Sequence, residues 1–399
     1  MKEDEDFLTK YNNFKEGLYI FKHSNEHQYV YIQPSDSLLI RLNTWNFDES
    51  LVFSGKNKNA ATNNLLIESF LQFEQDEKKF SSYFKLPQQN FLAKIDSLKS
   101  VKENILNTYL NNHEVSDKLL DVLNISLLYP VYTNLEYFAI NNYRKDTPDK
   151  LIDTYYDFRN NIDANKDSLM FYSPYHNYAI EKIYNDTYLK SKGKKTEDFT
   201  QNLLNSIDEN VHIEDVKNKL LYNAIVHDFF KNPSNKNNNK SFFTFFKLNS
   251  DIEQKKTIQR LINDLKVLNT GEKFPDFDLV ASNGITKNIQ SLIKNKKTVL
   301  LLKDYTYASD EWVSSRFNFL IKKFPTTNFI LVNLCDDTSK RYTKNVAIKH
   351  QYTLPKKSNV YNYTTSKFPR IVLINKNGII QNNYTSLSSK DINQQINNL

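Results

Sequence analysis

Cysteine and glycine are both scarce in this sequence. The single cysteine, Cys335, excludes an intrachain disulfide and a metal site built from several thiolates. Six glycines in 399 residues leave little material for a glycine-rich phosphate-binding loop. The chain also lacks an HExxH motif, a paired CxxC and a Walker-type loop. The sequence therefore predicts no metal site and no cofactor.

Export and membrane signals are also missing from the printed sequence. The first ten residues, MKEDEDFLTK, contain no apolar segment of a secretory signal. No run approaches the ~18 apolar residues of a membrane-spanning helix. The 53 basic and 46 acidic residues are mostly interleaved, and the net charge is only +7. This pattern favours a lysine-rich solvated surface and predicts no nucleic-acid partner.

Aromatic residues are plentiful, at 14% of the chain, and they provide material for buried cores. The length suits two or three domains. Residues 17–55 contain short apolar runs separated by turn residues, which predicts antiparallel strands. Residues 61–270 change to apolar spacings of three and four, which predicts roughly seven or eight helices. Four prolines fall where we expect these helices to break: Pro87, Pro130, Pro174 and Pro233.

The last third of the chain alternates strands and helices. Residues 298–302 and 328–332 are continuous apolar runs, as in strands covered on both faces. A helix is predicted between them, and another over residues 339–350. Asn-Gly turns at residues 283–284 and 377–378 predict two hairpins. The sequence thus predicts a multidomain α+β protein, with a partial antiparallel β domain (1–58), a helical domain (59–268) and an α/β domain (269–399).

Four motifs of the α/β part occur in an order that resembles a known family. They are GEKFPDF (271–277), the turn SNG (282–284), the strand TVLLL (298–302), and SKFP (366–369) followed by a strand and an Asn-Gly turn. Together they resemble the thioredoxin fold, and more closely its TlpA-like, extracytoplasmic branch. The resemblance implies a thioredoxin-like domain, a periplasmic or envelope location and a cis bond at Pro369.

The family's catalytic motif is degenerate here. Where the family has an aromatic residue followed by CxxC, this chain has Tyr307, then Ala308 and Glu311 at the two cysteine positions. Dithiol exchange needs a nucleophilic thiolate and a resolving thiol, so we expect no catalytic residue at this motif. Ser309 is expected to cap the following helix instead, with Asp310 and Glu311 in its first turn.

Three functions remain open from the sequence. The first is a redox-inactive binding or accessory protein of the bacterial envelope, which holds an extended polypeptide or another envelope protein. The resemblance places its surface at Tyr307, Trp312, Phe368 and Pro369, although these aromatics equally suit plain packing. The second is a thiol-disulfide oxidoreductase that uses Cys335 or an intermolecular thiol. The third is a scaffold formed by the helical middle region.

The amino-terminal region has a resemblance of its own. Residues 16–19, 28–38 and 47–55 resemble a small β domain of unknown function that often precedes TlpA-like domains. Ser35 stands where that family commonly has glycine. The family usually has further strands and an export signal upstream, so we hypothesise that this chain is truncated.

Overall fold

The computed structural model describes residues 8–10, 13–24, 26–55, 59–163, 166–191, 198–231, 238–334 and 342–399. Cys335 and Pro233 lie outside these ranges. The chain divides into two compact units, Met1–Phe199 and Thr200–Leu399. The three-domain division drawn from the sequence stays a prediction. No helix in the described part of the chain has both the length and the apolar character to cross a bilayer.

The first unit begins with the predicted antiparallel strands. β1 (Gly17–His23) pairs with β2 (Glu26–Ile32), and β3 (Leu39–Arg41) pairs with β4 (Val52–Ser54). A short helix, α1 (Phe47–Ser50), precedes β4. Four long helices follow: α2 (Asn59–Tyr83), α3 (Gln88–Asn112), α4 (Asp117–Tyr143) and α5 (Ser173–Lys190). Apolar side chains of the strands pack against α2.

Ser35 lies in the turn after β2. Its φ angle is 67°, in the left-handed region that glycine occupies without a steric penalty. The glycine that is common at this position in the resembling family therefore suits the backbone, whereas serine is strained there. The neighbouring Asp36 carboxylate accepts the backbone N–H of Gln33 at 2.6 Å and helps to hold the turn.

Two adjacent asparagines of α2 complete the edges of two strands. The Asn63 side chain accepts the N–H of Tyr31 in β2 at 2.7 Å and donates to the same residue's carbonyl at 2.9 Å. Asn64 does the same for Phe53 of β4, at 2.8 and 2.9 Å. Each side-chain amide thus replaces the neighbouring strand that a sheet would supply.

Helix α4 shows that one expected break was wrong. Pro87 precedes α3 and Pro174 lies in the first turn of α5, as expected, but Pro130 lies inside α4. Proline removes one N–H from the helical ladder. The helix continues because it is buried on nearly all sides, and tertiary packing outweighs local propensity.

Buried charges between α4 and α5 are paired. Glu136 has no exposed surface, and Arg159 donates to both of its carboxylate oxygens, at 2.7 and 2.5 Å. Arg159 also donates to Asp186 at 2.7 Å, and Asn185 donates to Glu136 at 2.5 Å. Burial raises the pKa of Glu136. Because the carboxylate is fully paired, this cluster has a structural explanation.

The second unit begins with four helices. They are α6 (Phe199–Asn210, whose first residue belongs to the first unit), α7 (Glu214–Lys231), α8 (Asn238–Leu248) and α9 (Ile252–Val267). Eight α-helices are thus described between residues 59 and 268, in line with the seven or eight predicted.

The rest of the second unit surrounds one sheet. Its strands are β5 (Asp278–Val280), β6 (Thr286–Asn288), β7 (Thr298–Lys303), β8 (Asn328–Asn333), β9 (Gln351–Thr353), β10 (Arg370–Ile374) and β11 (Ile380–Thr385). Its helices are α10 (Ile289–Ile293), α11 (Asp310–Lys323) and α12 (Ile392–Asn397).

Strand order identifies this architecture. The sheet runs β11-β10-β7-β8-β9-β5-β6. β7, α11 and β8 form a parallel crossover unit, and β10 and β11 form an antiparallel hairpin beside β7. Apolar clusters fill both faces of the sheet. A parallel crossover followed by this hairpin is the arrangement of the thioredoxin-like fold, as the sequence predicted.

One predicted helix of this unit is wrong. Residues 342–350, the described part of the expected helix, contain only a single 3-10 turn at Ile348–His350. Asn345 has a φ of 60°, which interrupts a right-handed helix. The Gln351 side chain donates hydrogen bonds to the carbonyls of Thr343 and Val346, at 3.0 and 2.8 Å, and stabilises the irregular path.

We predict that Asn63→Ala destabilises the protein by about 2–4 kcal/mol, because it leaves two backbone groups of Tyr31 unsatisfied in a buried position. Asn64→Ala should cost less, about 1–2 kcal/mol, because Asn64 is only half-buried. Urea unfolding followed by circular dichroism measures both. A cost below about 0.5 kcal/mol for Asn63→Ala would contradict the edge-completing role.

Candidate functional site

The candidate site lies where β7 ends and α11 begins. The β7 side chains are all buried, and the chain then turns through residues 304–308. Ser309 ends the turn, and its hydroxyl accepts the N–H of Trp312 at 3.2 Å. The predicted helix cap is therefore confirmed. Sites in α/β sheets commonly lie at such carboxyl ends of parallel strands.

The two former cysteine positions have very different surroundings. Ala308 is 4% exposed and belongs to the apolar cluster under α11. Glu311 is exposed in the first turn of α11. Neither side chain can form a thiolate, and Cys335 lies outside the described residues. Neither position therefore supplies the thiolate that dithiol exchange needs.

A buried lysine lies beside the former motif. Lys303, the last residue of β7, is 3% exposed, and its ammonium group pairs with the Asp310 carboxylate of α11. It also donates to the Thr343 hydroxyl at 3.1 Å. The other Asp310 oxygen accepts the N–H of Lys344 at 3.1 Å. Burial opposes ionisation of Asp310, but these two donors outweigh it and lower its pKa.

The same network reaches the end of β8. The Thr343 hydroxyl donates to the Asn333 side chain at 3.0 Å, and Asn333 donates to Gln351 at 3.3 Å. Gln351 in turn accepts the N–H of Thr343 at 2.8 Å. Each described group has a partner, so the network locks the carboxyl ends of β7 and β8 together.

Sequence reasoning missed this network. Lys303 ends a continuous apolar run, and a lysine directly after such a run was the one available signal. Its partners Thr343 and Gln351 fell in or beside a wrongly predicted helix, so their contact with Lys303 could not be predicted from the sequence.

Tyr307 and Phe368 meet, as the resemblance implied. Their ring centroids are 4.6 Å apart. Tyr307 is 42% exposed, whereas Phe368 is only 2% exposed and Pro369 is buried. Trp312 is half-buried and packs against the apolar cluster under α11. The four predicted surface residues thus divide into two accessible ones, Tyr307 and Trp312, and two covered ones.

The expected cis bond at Pro369 was wrong, since the described residues contain no cis peptide bond. The chain reverses its direction by other means. Lys367 adopts a φ of 65°, and its N–H donates to the carbonyl of Thr364 at 3.0 Å. This tight turn places Phe368 and Pro369 at the start of β10.

Helix α7 covers the candidate site on the side where Phe368 lies. Phe230 lies with its ring 5.3 Å from that of Phe368, in an edge-to-face arrangement. The Tyr222 and Tyr307 hydroxyls form a hydrogen bond, and burial, followed by this contact, raises the pKa of Tyr222. Phe229 packs edge-to-face on Tyr384 of β11 at 5.2 Å. The sequence showed the apolar spacing of α7 but not the surface that it would cover.

A buried carboxylate holds the loop before β10. Asp264 of α9 has no exposed surface and accepts four hydrogen bonds. The N–H and hydroxyl of Thr365 donate at 2.9 and 2.6 Å, and those of Ser366 at 3.0 and 2.6 Å. Because the acceptor is charged, these are strong bonds that fix the loop.

Arg370, directly after Pro369, is also fully buried. It donates to the carbonyls of Asn383 at 2.8 Å and Tyr363 at 2.7 Å, and its guanidinium lies 5.0 Å from the centre of the Tyr384 ring. Burial lowers the pKa of Arg370 to about 10. Its Nη2 finds no partner among the residues that the structure describes.

We predict that Asp310→Ala costs about 3 kcal/mol, because it leaves the buried Lys303 ammonium without its counter-ion. The double change Lys303→Met with Asp310→Ala should recover most of this loss, since no unpaired charge then remains. Urea unfolding measures both. A double variant as unstable as Asp310→Ala would contradict the explanation.

The same pair predicts a pH dependence. Because the folded protein lowers the pKa of Asp310, its contribution is complete above the unfolded pKa of about 3.9 and is lost as the pH falls through the lower folded value. The stability difference between the wild type and Asp310→Ala should therefore shrink below about pH 4. A difference that is constant down to pH 2 would contradict it.

Comparisons with known proteins give structural likeness only. No protein-family model matches the sequence, and no curated protein is detectably similar to it. Among solved structures, a thioredoxin-like protein from Bacteroides caccae is 10% identical, covers 66% of this chain and 92% of its own, and has a TM-score of 0.32. The thioredoxin domain of a thiol-disulfide oxidoreductase from Bacteroides vulgatus is 15% identical over 32% of this chain and 99% of its own, with a TM-score of 0.25.

A pneumococcal exposed lipoprotein thioredoxin from Streptococcus pneumoniae is 18% identical over 31% of this chain and all of its own, with a TM-score of 0.26. These are proteins that the chain is similar to. The strand order and the β7-α11-β8 crossover described above give the carboxyl-terminal part of this chain a thioredoxin-like fold.

Proposed function

We propose that the thioredoxin-like part is a redox-inactive binding module of the bacterial envelope that holds an extended polypeptide. The absence of redox activity is supported by Ala308 and Glu311, which stand at the two positions where the resembling family has cysteine. A buried methyl group and an exposed carboxylate occupy the two sulfur positions, and the Lys303–Asp310 ion pair lies beside them. These residues stabilise the fold and supply no nucleophile for disulfide exchange.

The accessible aromatic surface supports the binding half of the proposal. Tyr307 remains 42% exposed beside the loop that ends at Pro369, and Trp312 is half-buried in the first turn of α11. Aromatic side chains offer large contact areas at a low entropic cost, which suits recognition of apolar side chains. The envelope location rests on the resemblance to the extracytoplasmic TlpA-like branch.

The redox half predicts no catalysis of insulin reduction by dithiothreitol above the buffer rate, because the motif holds no thiol. The matched control is Cys335→Ser, which should give the same result. Turnover in the wild type that Cys335→Ser abolishes would contradict the proposal and establish Cys335 as a catalytic thiol. Turnover that survives this change would contradict it too.

The binding half predicts that the wild type binds the carboxymethylated insulin B chain, an extended polypeptide without free thiols, and that Tyr307→Ala with Trp312→Ala weakens this binding about tenfold, or about 1.4 kcal/mol. Phe319→Ala is the control, because Phe319 is an equally exposed aromatic residue on α11 outside the proposed surface. Fluorescence anisotropy measures the affinities. Equal losses in both variants would contradict a specific surface.

A further inference from the structure

Helix α7 carries two parallel rows of apolar side chains. Leu221, Ile225 and Phe229 repeat every fourth residue and are fully buried. The adjacent row, Tyr222, Val226 and Phe230, is only half-buried. Side chains four positions apart lie on one face of a helix, so each row is a continuous stripe. The half-buried stripe is the part of α7 that faces the candidate site.

The ends of this stripe rest on the two halves of the proposed binding surface. The Tyr222 hydroxyl is hydrogen-bonded to that of Tyr307, in the turn after β7. Phe230 packs on Phe368, in the loop before β10, with ring centroids 5.3 Å apart. Beyond it, the carbonyl of Lys231 accepts the N–H of Lys390 at 3.4 Å. The helix thus spans the surface from the β7–α11 turn to the loop before β10.

The stripe explains why half of the surface is covered. Phe368 is 2% exposed although Tyr307, its ring partner, is 42% exposed. A helix satisfies its own backbone hydrogen bonds, so α7 engages this surface with side chains alone. An extended polypeptide can present apolar side chains to the same rings, because alternate side chains of a strand lie on one face. A strand that presents such side chains would compete with α7 for this surface.

We infer that α7 is an intramolecular occupant of this surface and competes with the extended polypeptide of the proposed function, on which this inference rests. The apparent affinity of the wild type for its partner is then the intrinsic affinity multiplied by the fraction of molecules in which the stripe has left the surface. The buried row can keep α7 in place when the half-buried row leaves the surface, because Phe229 packs on Phe242 of α8 and on Tyr384 of β11, with ring centroids 6.2 and 5.2 Å apart.

The spacing of the stripe specifies the partner. Tyr222 and Phe230 are eight residues apart, which is about 12 Å along a helix. An extended chain covers about the same distance in four residues, and side chains four positions apart point to one face of a strand. The matching partner is an extended polypeptide with two large apolar side chains four residues apart.

The test uses the full chain and a fluorescein-labelled peptide with two phenylalanines four positions apart in a background of serine, threonine and lysine. Tyr222→Ala with Phe230→Ala should bind this peptide about tenfold more tightly than the wild type. Asn223→Ala, an exposed position on the same helix, should match the wild type. A peptide with its phenylalanines three positions apart, on opposite faces of a strand, should bind the double variant about tenfold more weakly.

Circular dichroism confirms that each variant is folded before its affinity is interpreted. Equal affinity of the folded double variant and the wild type would overturn the competition by α7 while leaving the proposed function intact. No binding by either protein would overturn the proposed function and the competition together.

Hydrogen exchange of the wild type provides a second measurement. If the peptide displaces the stripe, amides of α7 should exchange faster at a saturating peptide concentration. Unchanged α7 exchange in the saturated complex would overturn the inference.

Discussion

The fully buried carboxylate of Asp264 fixes the part of the structure on which the site depends. It belongs to α9, but its four hydrogen bonds go to Thr365 and Ser366, a hundred residues further along the chain. An ionised group without solvent is stable only when its lone pairs are satisfied, so the loop before β10 must stay where it is. The position of Phe368, and hence the surface that α7 covers, follows from this one constraint.

The same constraint explains why helices and sheet belong to one compact unit. The helix α9 precedes the first strand of the thioredoxin-like part, yet its acidic side chain supplies the anchor of a central loop. Asn383 of β11 adds two bonds from the other side, to the carbonyls of Leu265 and Leu268 at 2.9 and 2.6 Å. Removal of the helices would leave Thr365, Ser366 and Asn383 without these partners.

Local patterns in the sequence predicted most of the fold and little of the polar interior. The strands β7, β8 and β10 were readable because each is a continuous apolar run between turns. The expected helix break at Pro130 was wrong because tertiary packing buries α4. The expected helix over residues 339–350 was wrong because the side chain of Gln351, from outside that segment, stabilises an irregular path. Propensity describes neighbours in sequence and carries no information about such contacts.

The residues of the candidate site also differ in whether the sequence could predict their contacts. The cap by Ser309 depends on residues within one helical turn, so the sequence was sufficient to predict it. Lys303 with Thr343, Asp264 with Ser366, and Tyr222 with Tyr307 are pairs that only the folded chain brings together. For the same reason, Phe368 was predicted to line a binding surface, although Phe230, from a helix more than a hundred positions earlier, packs on it.

Under the proposed function, the absence of a dithiol and closure by α7 are physically linked. A catalytic thiol must be reached by a second sulfur, which keeps the groove around it open in an active oxidoreductase. Alanine at position 308 imposes no such requirement, so apolar side chains can lie over it and gain stability from burial. Under the inference drawn above, the half-buried stripe of α7 is such a cover, and its incomplete burial leaves room for an external strand to compete.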